Sequence, residues 1–190
     1  ITQLHNRWKK REAIVGRWVI VSNRLPFSYD SERKELKPSS GGLVTAIRGI
    51  KSREKTLWVG AIPEEVPISK VKAIKDPNKI KYDGPKIKND LYEKYYNGFS
   101  NDVLWPMLHY ETSRIKYLEE NYEAYKKVNQ EFANFLIENL KDDDEVWLHD
   151  FHLFLLPKLI KAKRKNIKVG FFLHVPWPSS ETYRQLTPRR

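Results

Sequence analysis

The chain has 190 residues, no cysteine, and 35 Lys and Arg against 24 Asp and Glu, which gives a net charge of +11. Without cysteine, disulfides, thiolate catalysis and cysteine-ligated metals are excluded, and no apolar run reaches the roughly 18 residues of a membrane span. The basic residues are spread along the chain, so a solvated surface explains the charge better than a nucleic-acid site does. We expect a cytoplasmic protein without a membrane partner. Because the chain starts at Ile1 and stops at Arg190, we also expect a fragment.

The first half of the sequence alternates apolar runs with polar segments. Pro26 ends the first apolar run and forces a loop, and the polar segment 27–37 is predicted to be a loop as well. Residues 38–47 indicate a capped helix start, because serines accept hydrogen bonds from unpaired backbone N–H groups and glycines let the backbone approach a ligand. Apolar runs predict strands at residues 17–21, 56–60, 71–74 and 80–82.

Helical patterns dominate the middle of the chain. Short helices are predicted at residues 92–97 and 100–109. Apolar residues then recur at three- and four-residue spacing, which predicts one long amphipathic helix over residues 118–140. The acidic triplet at residues 142–144 follows it and indicates a solvated turn before the next strand.

The last third of the chain predicts a βαβ unit. Two strand-like runs, residues 146–148 and 169–173, are separated by an apolar helix candidate, and each ends in a loop that carries histidine. Parallel strands deliver such loops to the same carboxyl edge of a sheet, where ligands of open α/β sheets bind. We therefore predict an α/β fold, a Rossmann-like parallel sheet flanked by helices, with a ligand site at this edge.

Two features of the first half suit a phosphate at that edge. Arg24 follows the first strand, and its guanidinium could hold a phosphate by paired hydrogen bonds. A surface salt bridge is the alternative, and the residues by themselves favour it for Arg24. Gly41 and Gly42 stand at a helix start and could present backbone N–H groups to a phosphate. A tight turn explains this glycine pair about equally well.

The two histidine loops suit a sugar more than a metal. His149, Asp150 and His152 follow one strand, and His174 follows the next. No third ligand stands at a recognised metal spacing, so no metal site is predicted. A carboxylate and an imidazole at a sheet edge suit the recognition of hydroxyl groups, whereas the plainer alternative is histidines that bond to the loop backbone. No nucleophile-elbow pattern of Ser, His and Asp is present.

Several segments, in this order and spacing, resemble the successive motifs of trehalose-6-phosphate synthases. The resemblance covers the chain from about Arg17 to its end. Its segments are VIVSNRLP (19–26), GGLVT (41–45), LWVG (57–60), YYNGFSNDVLWPMLHY (95–110), DDEVWLHDFHLFLLP (143–157) and GFFLHVPWPSSETYR (170–184).

The resemblance implies an enzyme, a retaining GT-B glycosyltransferase in which two Rossmann-like domains face each other across a cleft. Residues 17–190 would form most of the N-terminal, acceptor-side domain after an extension at residues 1–16, and the C-terminal donor-binding domain would be missing from this chain. The implied reaction of trehalose biosynthesis transfers glucose from UDP-glucose to glucose 6-phosphate with retention, giving alpha,alpha-trehalose 6-phosphate. It requires no metal or cofactor, and the fragment alone would be inactive.

The resemblance also implies roles on the acceptor side. Arg24 would bind the phosphate of the acceptor. Tyr96 and Asp150 would hold the acceptor sugar. Trp105 would line the acceptor site and, together with Val175, would select the anomer.

On the donor side, Gly41 and Gly42 would approach the diphosphate through their N–H groups, and His174 would contact the donor glucose. Asp150 and His174 are the implied catalytic residues. The partners are then a nucleotide-sugar donor, a sugar-phosphate acceptor and the missing C-terminal domain.

One departure from the family pattern keeps alternatives open. Ala61 stands where the family commonly has Trp, so an aromatic wall near the acceptor is missing. A glucosylglycerol-phosphate synthase-like transferase that uses glycerol 3-phosphate is one alternative, and a non-catalytic regulatory homologue is another. A nucleic-acid binder rests on charge alone. The donor base, regulation and a homo-oligomeric state are not determined by these residues.

Overall fold

A parallel β-sheet runs through the part of the chain that the computed structural model describes, residues 16–30, 32–39, 42–49 and 55–186. The strands in this part are β1 (Trp18–Arg24), β2 (Phe27–Asp30), β3 (Glu35–Pro38), β4 (Thr56–Pro63), β5 (Lys81–Asp83), β6 (Lys86–Ile87), β7 (Glu145–His149) and β8 (Lys168–Phe172). The strand order is β5-β4-β1-β7-β8, all neighbours are parallel, and β6 pairs with the end of β4.

The chain leaves the central strand β1 in two directions. It first builds β4 and β5 on one side, then returns to build β7 and β8 on the other. Val19, Ile20 and Val21 of β1 are fully buried, as expected for a strand covered on both faces. Because the strand order reverses between β1 and β7, the connections that follow these two strands lead away from each other, and a ligand crevice is expected at their carboxyl ends.

Helices cover the sheet. In the described residues they are α1 (Gly42–Gly49), α2 (Ile68–Lys72), α3 (Asn89–Glu93), a π-helix (Lys94–Leu104), α4 (Trp105–Leu108), α5 (Glu119–Asn139), α6 (Leu156–Lys163) and α7 (Ser180–Tyr183). The apolar stripe of α5, which includes the fully buried Val128 and Phe132, packs into the main core with β1 and β7. Even α5, with 21 residues, is too polar to qualify as a membrane-crossing helix among those described.

The predicted fold class is confirmed, and so are the strands at residues 17–21, 56–60, 146–148 and 169–173, the βαβ unit and the long helix at 118–140. The predicted strand at 80–82 matches β5 within one residue. The two short helices predicted at 92–97 and 100–109 are joined into one continuous helical run whose middle is the π-helix.

Three local predictions are wrong. The segment 27–37 is an antiparallel hairpin, because Asp30 closes its turn by accepting hydrogen bonds from the N–H groups of Glu32 and Arg33. The strand predicted at 71–74 is replaced by the one-turn helix α2, which buries Val71 alone. The triplet at 142–144 is not wholly solvated, because Asp144 is buried against Arg17. Most of the predicted extension at residues 1–16 lies outside the described residues.

Candidate functional site

A cavity of about 220 Å³ opens at the carboxyl ends of β1 and β7, at the point where the strand order reverses. The end of β1, the start of α1, the π-helix and the loop after β7 all contribute to its wall. Its polar lining includes Ser22, Asn23, Arg24, Ser39, Tyr96, His149, Asp150 and His152, and Gly42 lies among its lining residues. The structure therefore brings together four of the predicted site residues, Arg24, Gly42, Tyr96 and Asp150.

Arg24 is the cationic residue of this cavity. Its side chain is exposed, and within the described residues its guanidinium has no hydrogen-bond or ion-pair partner. The surface salt bridge considered for Arg24 is therefore absent from the described part of the chain. The backbone around Arg24 lies close to Gly60 of β4, where an added Cβ would lie 2.4 Å from the Leu25 nitrogen. Glycine at position 60 thus allows β1 to bring Arg24 to the edge.

Asp150 is held in a strained backbone conformation at the end of β7. It has φ 77° and ψ 165°, a region that costs a residue with a side chain about 1–3 kcal/mol. The Asp150 N–H donates to the Phe172 carbonyl of β8 at 2.9 Å, and the Asp150 carboxylate accepts from the Phe151 N–H at 3.1 Å. These bonds fix the carboxylate at the cavity wall.

The loop after β7 is anchored from below by the long helix α5. The Tyr125 hydroxyl donates to the Phe151 carbonyl at 2.6 Å, and the Asn129 amide donates to the His152 carbonyl at 3.0 Å. Tyr125 and Asn129 are buried, so these bonds form out of water and hold the loop firmly. The sequence predicts an amphipathic helix here, but it does not predict this positioning role. A polar Asn at an inward helix position was the available signal.

His152 lies in the cavity wall between two aromatic rings. Its ring stacks on Tyr96 with centroids 5.5 Å apart and on Phe151 at 4.1 Å. Burial, together with the nearby Arg24 charge, lowers the pKa of His152 to about 3. Its Nδ1 is buried and lacks a hydrogen-bond partner among the described residues. A neutral ring with an unpaired nitrogen suits a hydrogen bond to a ligand hydroxyl. The sequence allowed this role and, as its alternative, a hydrogen bond to the loop backbone.

His149 links the cavity to the second histidine loop. Its Nδ1 lies 3.0 Å from Nε2 of His174, and the two rings are stacked with centroids 5.3 Å apart. Burial and the neighbouring His174 lower the pKa of His149 to about 4. His174 itself is exposed and reaches the cavity only through His149. The two rings share one hydrogen bond, so His149 orients His174.

The remaining predicted residues lie outside the cavity lining. Trp105 is 43% exposed, packs on His109 and reaches the site only through Phe151, with ring centroids 5.9 Å apart. Val175 is half-buried against the main core. Gly41 falls outside the described residues, so its predicted role is not placed. Within the described part of the chain, no three His, Asp or Glu side chains cluster as metal ligands.

Acid conditions should destabilise the protein through His152. Its pKa of about 3 in the folded state lies below the ordinary value of about 6.5, so the unfolded chain binds a proton first as the pH falls. The stability is complete above pH 6.5 and declines below it, by about 1 kcal/mol per pH unit for this residue. We expect urea denaturation between pH 6.5 and 5 to show this slope together with a similar contribution from His149, whose pKa is also lowered.

The control is exposed His109, which directly follows α4. The variant His152→Gln should remove about half of the slope and leave the contribution of His149, whose pKa is also lowered, whereas His109→Gln should leave the slope unchanged. An equally steep slope in wild type and His152→Gln would contradict the assignment.

Comparisons with known proteins agree with this geometry. The model of glycosyltransferase family 20 matches residues 16–190. The UDP-forming alpha,alpha-trehalose-phosphate synthase of Candida albicans is 39% identical over 186 residues, covering 93% of this chain and 39% of that protein. The UDP-forming synthase of Zygosaccharomyces rouxii is 41% identical over 185 residues, covering 92% of this chain and 38% of that protein.

Solved structures show the same likeness. A trehalose-6-phosphate structure from E. coli with bound UDP-2-fluoro glucose is 33% identical with a TM-score of 0.72, covering 90% of this chain and 36% of that one. A Burkholderia xenovorans alpha,alpha-trehalose-phosphate synthase in complex with glucose-6-phosphate is 29% identical with a TM-score of 0.71, covering 89% and 36%. The chain thus spans well under half the length of the relatives it matches, and it belongs to glycosyltransferase family 20.

Proposed function

We propose that this chain supplies the acceptor side of a retaining glucosyltransferase that makes alpha,alpha-trehalose 6-phosphate from UDP-glucose and glucose 6-phosphate. The observation that carries the proposal is the cavity at the ends of β1 and β7, whose lining includes Arg24, Tyr96 and Asp150. Relatives named as UDP-forming trehalose-phosphate synthases, one of them with glucose-6-phosphate bound, support the same reaction.

The cavity has the groups that a sugar phosphate needs. A phosphate would pair with the Arg24 guanidinium, which has no partner among the described residues. The Asp150 carboxylate would accept hydrogen bonds from sugar hydroxyls, and the neutral His152 ring would offer its unpaired nitrogen. Tyr96 would bind the sugar from the π-helix, and Trp105 with Val175 would select the anomer from outside the cavity wall.

Donor chemistry would take place on the other side of the cavity. Gly42 begins α1, where backbone N–H groups and the helix dipole favour a diphosphate and the charge it gains on leaving. His174, oriented by His149, would contact the donor glucose. The acceptor hydroxyl would attack from the face that the diphosphate leaves, so catalysis would consist of positioning and electrostatic stabilisation. We propose residues 17–190 as the acceptor-side domain, and a C-terminal domain beyond it as the main donor site.

Calorimetry on the 190-residue chain tests the acceptor. We expect glucose 6-phosphate to bind more tightly than glycerol 3-phosphate, because only the hexose reaches Tyr96 and Asp150 while its phosphate is on Arg24. Free glucose serves as the control that lacks the phosphate. Tighter binding of glycerol 3-phosphate would instead favour the sister transferase, which the small Ala61 keeps as the second candidate.

Synthase activity should be absent from the 190-residue chain by itself. The donor would be held on one side only, which leaves the diphosphate without the opposing domain. A coupled assay for UDP release, with UDP-glucose and glucose 6-phosphate, measures this directly. Release above the rate without enzyme would show that the acceptor-side domain alone is sufficient.

A further inference from the structure

A second cavity shares Arg24 and Leu25 with the first in its lining. It has a volume of about 210 Å³ and sits between the β2–β3 hairpin, the ends of β4 and β6, and α2. Most of its wall is apolar, including Phe27, Leu36, Ala61 and Val71. Ala61 is almost fully buried, and its short side chain leaves this space open. Of its lining residues, the proposed glucosyl transfer uses Arg24.

The polar groups that line the second cavity include one that can pair with an anion. Arg24 is the one ionised side chain among the described lining residues. Burial raises the pKa of Tyr92 to about 12, so this phenol is neutral, and its oxygen already accepts a hydrogen bond from Asn23 at 3.0 Å. Asn89 donates through its backbone to Glu64 and through its side chain to Glu65. An anion in this region would therefore pair with Arg24.

We propose that this second cavity binds a small anion that carries a compact apolar group. The anion lies on the Arg24 guanidinium, and the apolar group fills the space beside Ala61. The volume is sufficient, because an apolar cavity of about 150 Å³ holds benzene. An aryl phosphate has this chemistry. The inference rests on the proposed function only through Arg24, which both ligands share, so they compete.

Calorimetry on the 190-residue chain with phenyl phosphate and inorganic phosphate tests the site. We expect phenyl phosphate to bind about 10- to 100-fold more tightly than inorganic phosphate. Burial of the phenyl ring is expected to account for this difference in affinity. Ala61→Leu should remove this advantage by filling the cavity, while inorganic phosphate binds as before. Ala73→Leu, the same change at an exposed position after α2, should change neither affinity.

A second test locates bound phenyl phosphate on the wild-type chain. In the bound state, nuclear Overhauser effects should connect the phenyl protons with the methyl groups of Val71 and Ile87. Their absence, or equal affinity of wild type and Ala61→Leu for phenyl phosphate, overturns this inference. Failure of glucose 6-phosphate to bind, with phenyl phosphate still bound, would instead count against the proposed function alone.

Discussion

We expect that replacing Arg24 with Ala weakens the proposed binding of glucose 6-phosphate to the chain by about 10- to 100-fold. Hydrogen bonds to a charged group contribute about 1.5–3 kcal/mol, and every 1.4 kcal/mol is a factor of ten. The loss is concentrated in one residue because the guanidinium is exposed, has no partner among the described residues and lines the cavity beside Asp150. In a longer protein with synthase activity, we expect the same change to raise the acceptor KM while kcat changes little.

Titration calorimetry with glucose 6-phosphate and with free glucose separates phosphate binding from sugar binding. Affinity for free glucose should not change in Arg24→Ala. Arg24→Lys should fall between wild type and Ala, because a point charge replaces a planar group with paired donors. Arg33→Ala, in the exposed turn of the hairpin, is the matched control and should have no effect. An unchanged affinity in Arg24→Ala would refute the phosphate role.

The second large effect concerns stability. We expect Asp144→Asn to lower the free energy of unfolding by about 2 kcal/mol, because hydrogen bonds to a charged group contribute about 1.5–3 kcal/mol and the amide nitrogen of Asn cannot accept the bonds that a carboxylate oxygen accepts. The Asp144 side chain is fully buried. Its two oxygens accept hydrogen bonds from Arg17 Nε at 3.1 Å and Nη2 at 2.7 Å, and from the backbone N–H groups of Arg17 and Lys141. These bonds join the start of β1 to the turn before β7.

Neighbouring Asp143 provides the control, because it is exposed and Asp143→Asn should cost under about 0.5 kcal/mol. Burial acts to raise the pKa of Asp144, but the hydrogen bonds from Arg17 and Lys141 prevail and lower it. The Asp144 contribution is therefore present above the ordinary carboxyl pKa of about 3.9 and is lost as the pH falls through the lowered folded value. Urea denaturation at neutral pH measures the difference. Equal losses in the two variants would show that the pair contributes nothing specific.

Some of the site could be predicted because its residues follow strands directly. Arg24 ends β1 and Asp150 follows β7, so a parallel sheet necessarily brings them to one edge. His152 and Asn129 were harder to assign. Their roles depend on how α5 packs against the loop after β7. The hydrogen bond from Asn129 to the His152 carbonyl joins residues that are 23 positions apart in the chain. A pattern of neighbouring residues in the sequence does not predict a contact between residues so far apart.

Local misassignments have a similar cause. The hairpin at residues 27–38 contains charged residues at strand positions, because one face of it is open to water, so it was predicted as a loop. Val71 belongs to an apolar run that is compatible with a strand. Only Val71 of this helix is buried, in the cluster that also contains hairpin residues, and a single helical turn is enough to bury one side chain.

The sequence by itself determined the α/β class, the βαβ unit, the long helix α5 and the edge at which the polar residues gather. Hydrophobic periodicity and the order of strands and helices depend on residues near one another in the chain, so they can be read without coordinates. Only the tertiary structure decided that Asp144 is buried, that His152 is neutral and that Ala61 leaves a second cavity beside Arg24. Burial, pKa and cavity volume depend on which distant side chains surround a residue, and that is settled when the chain packs.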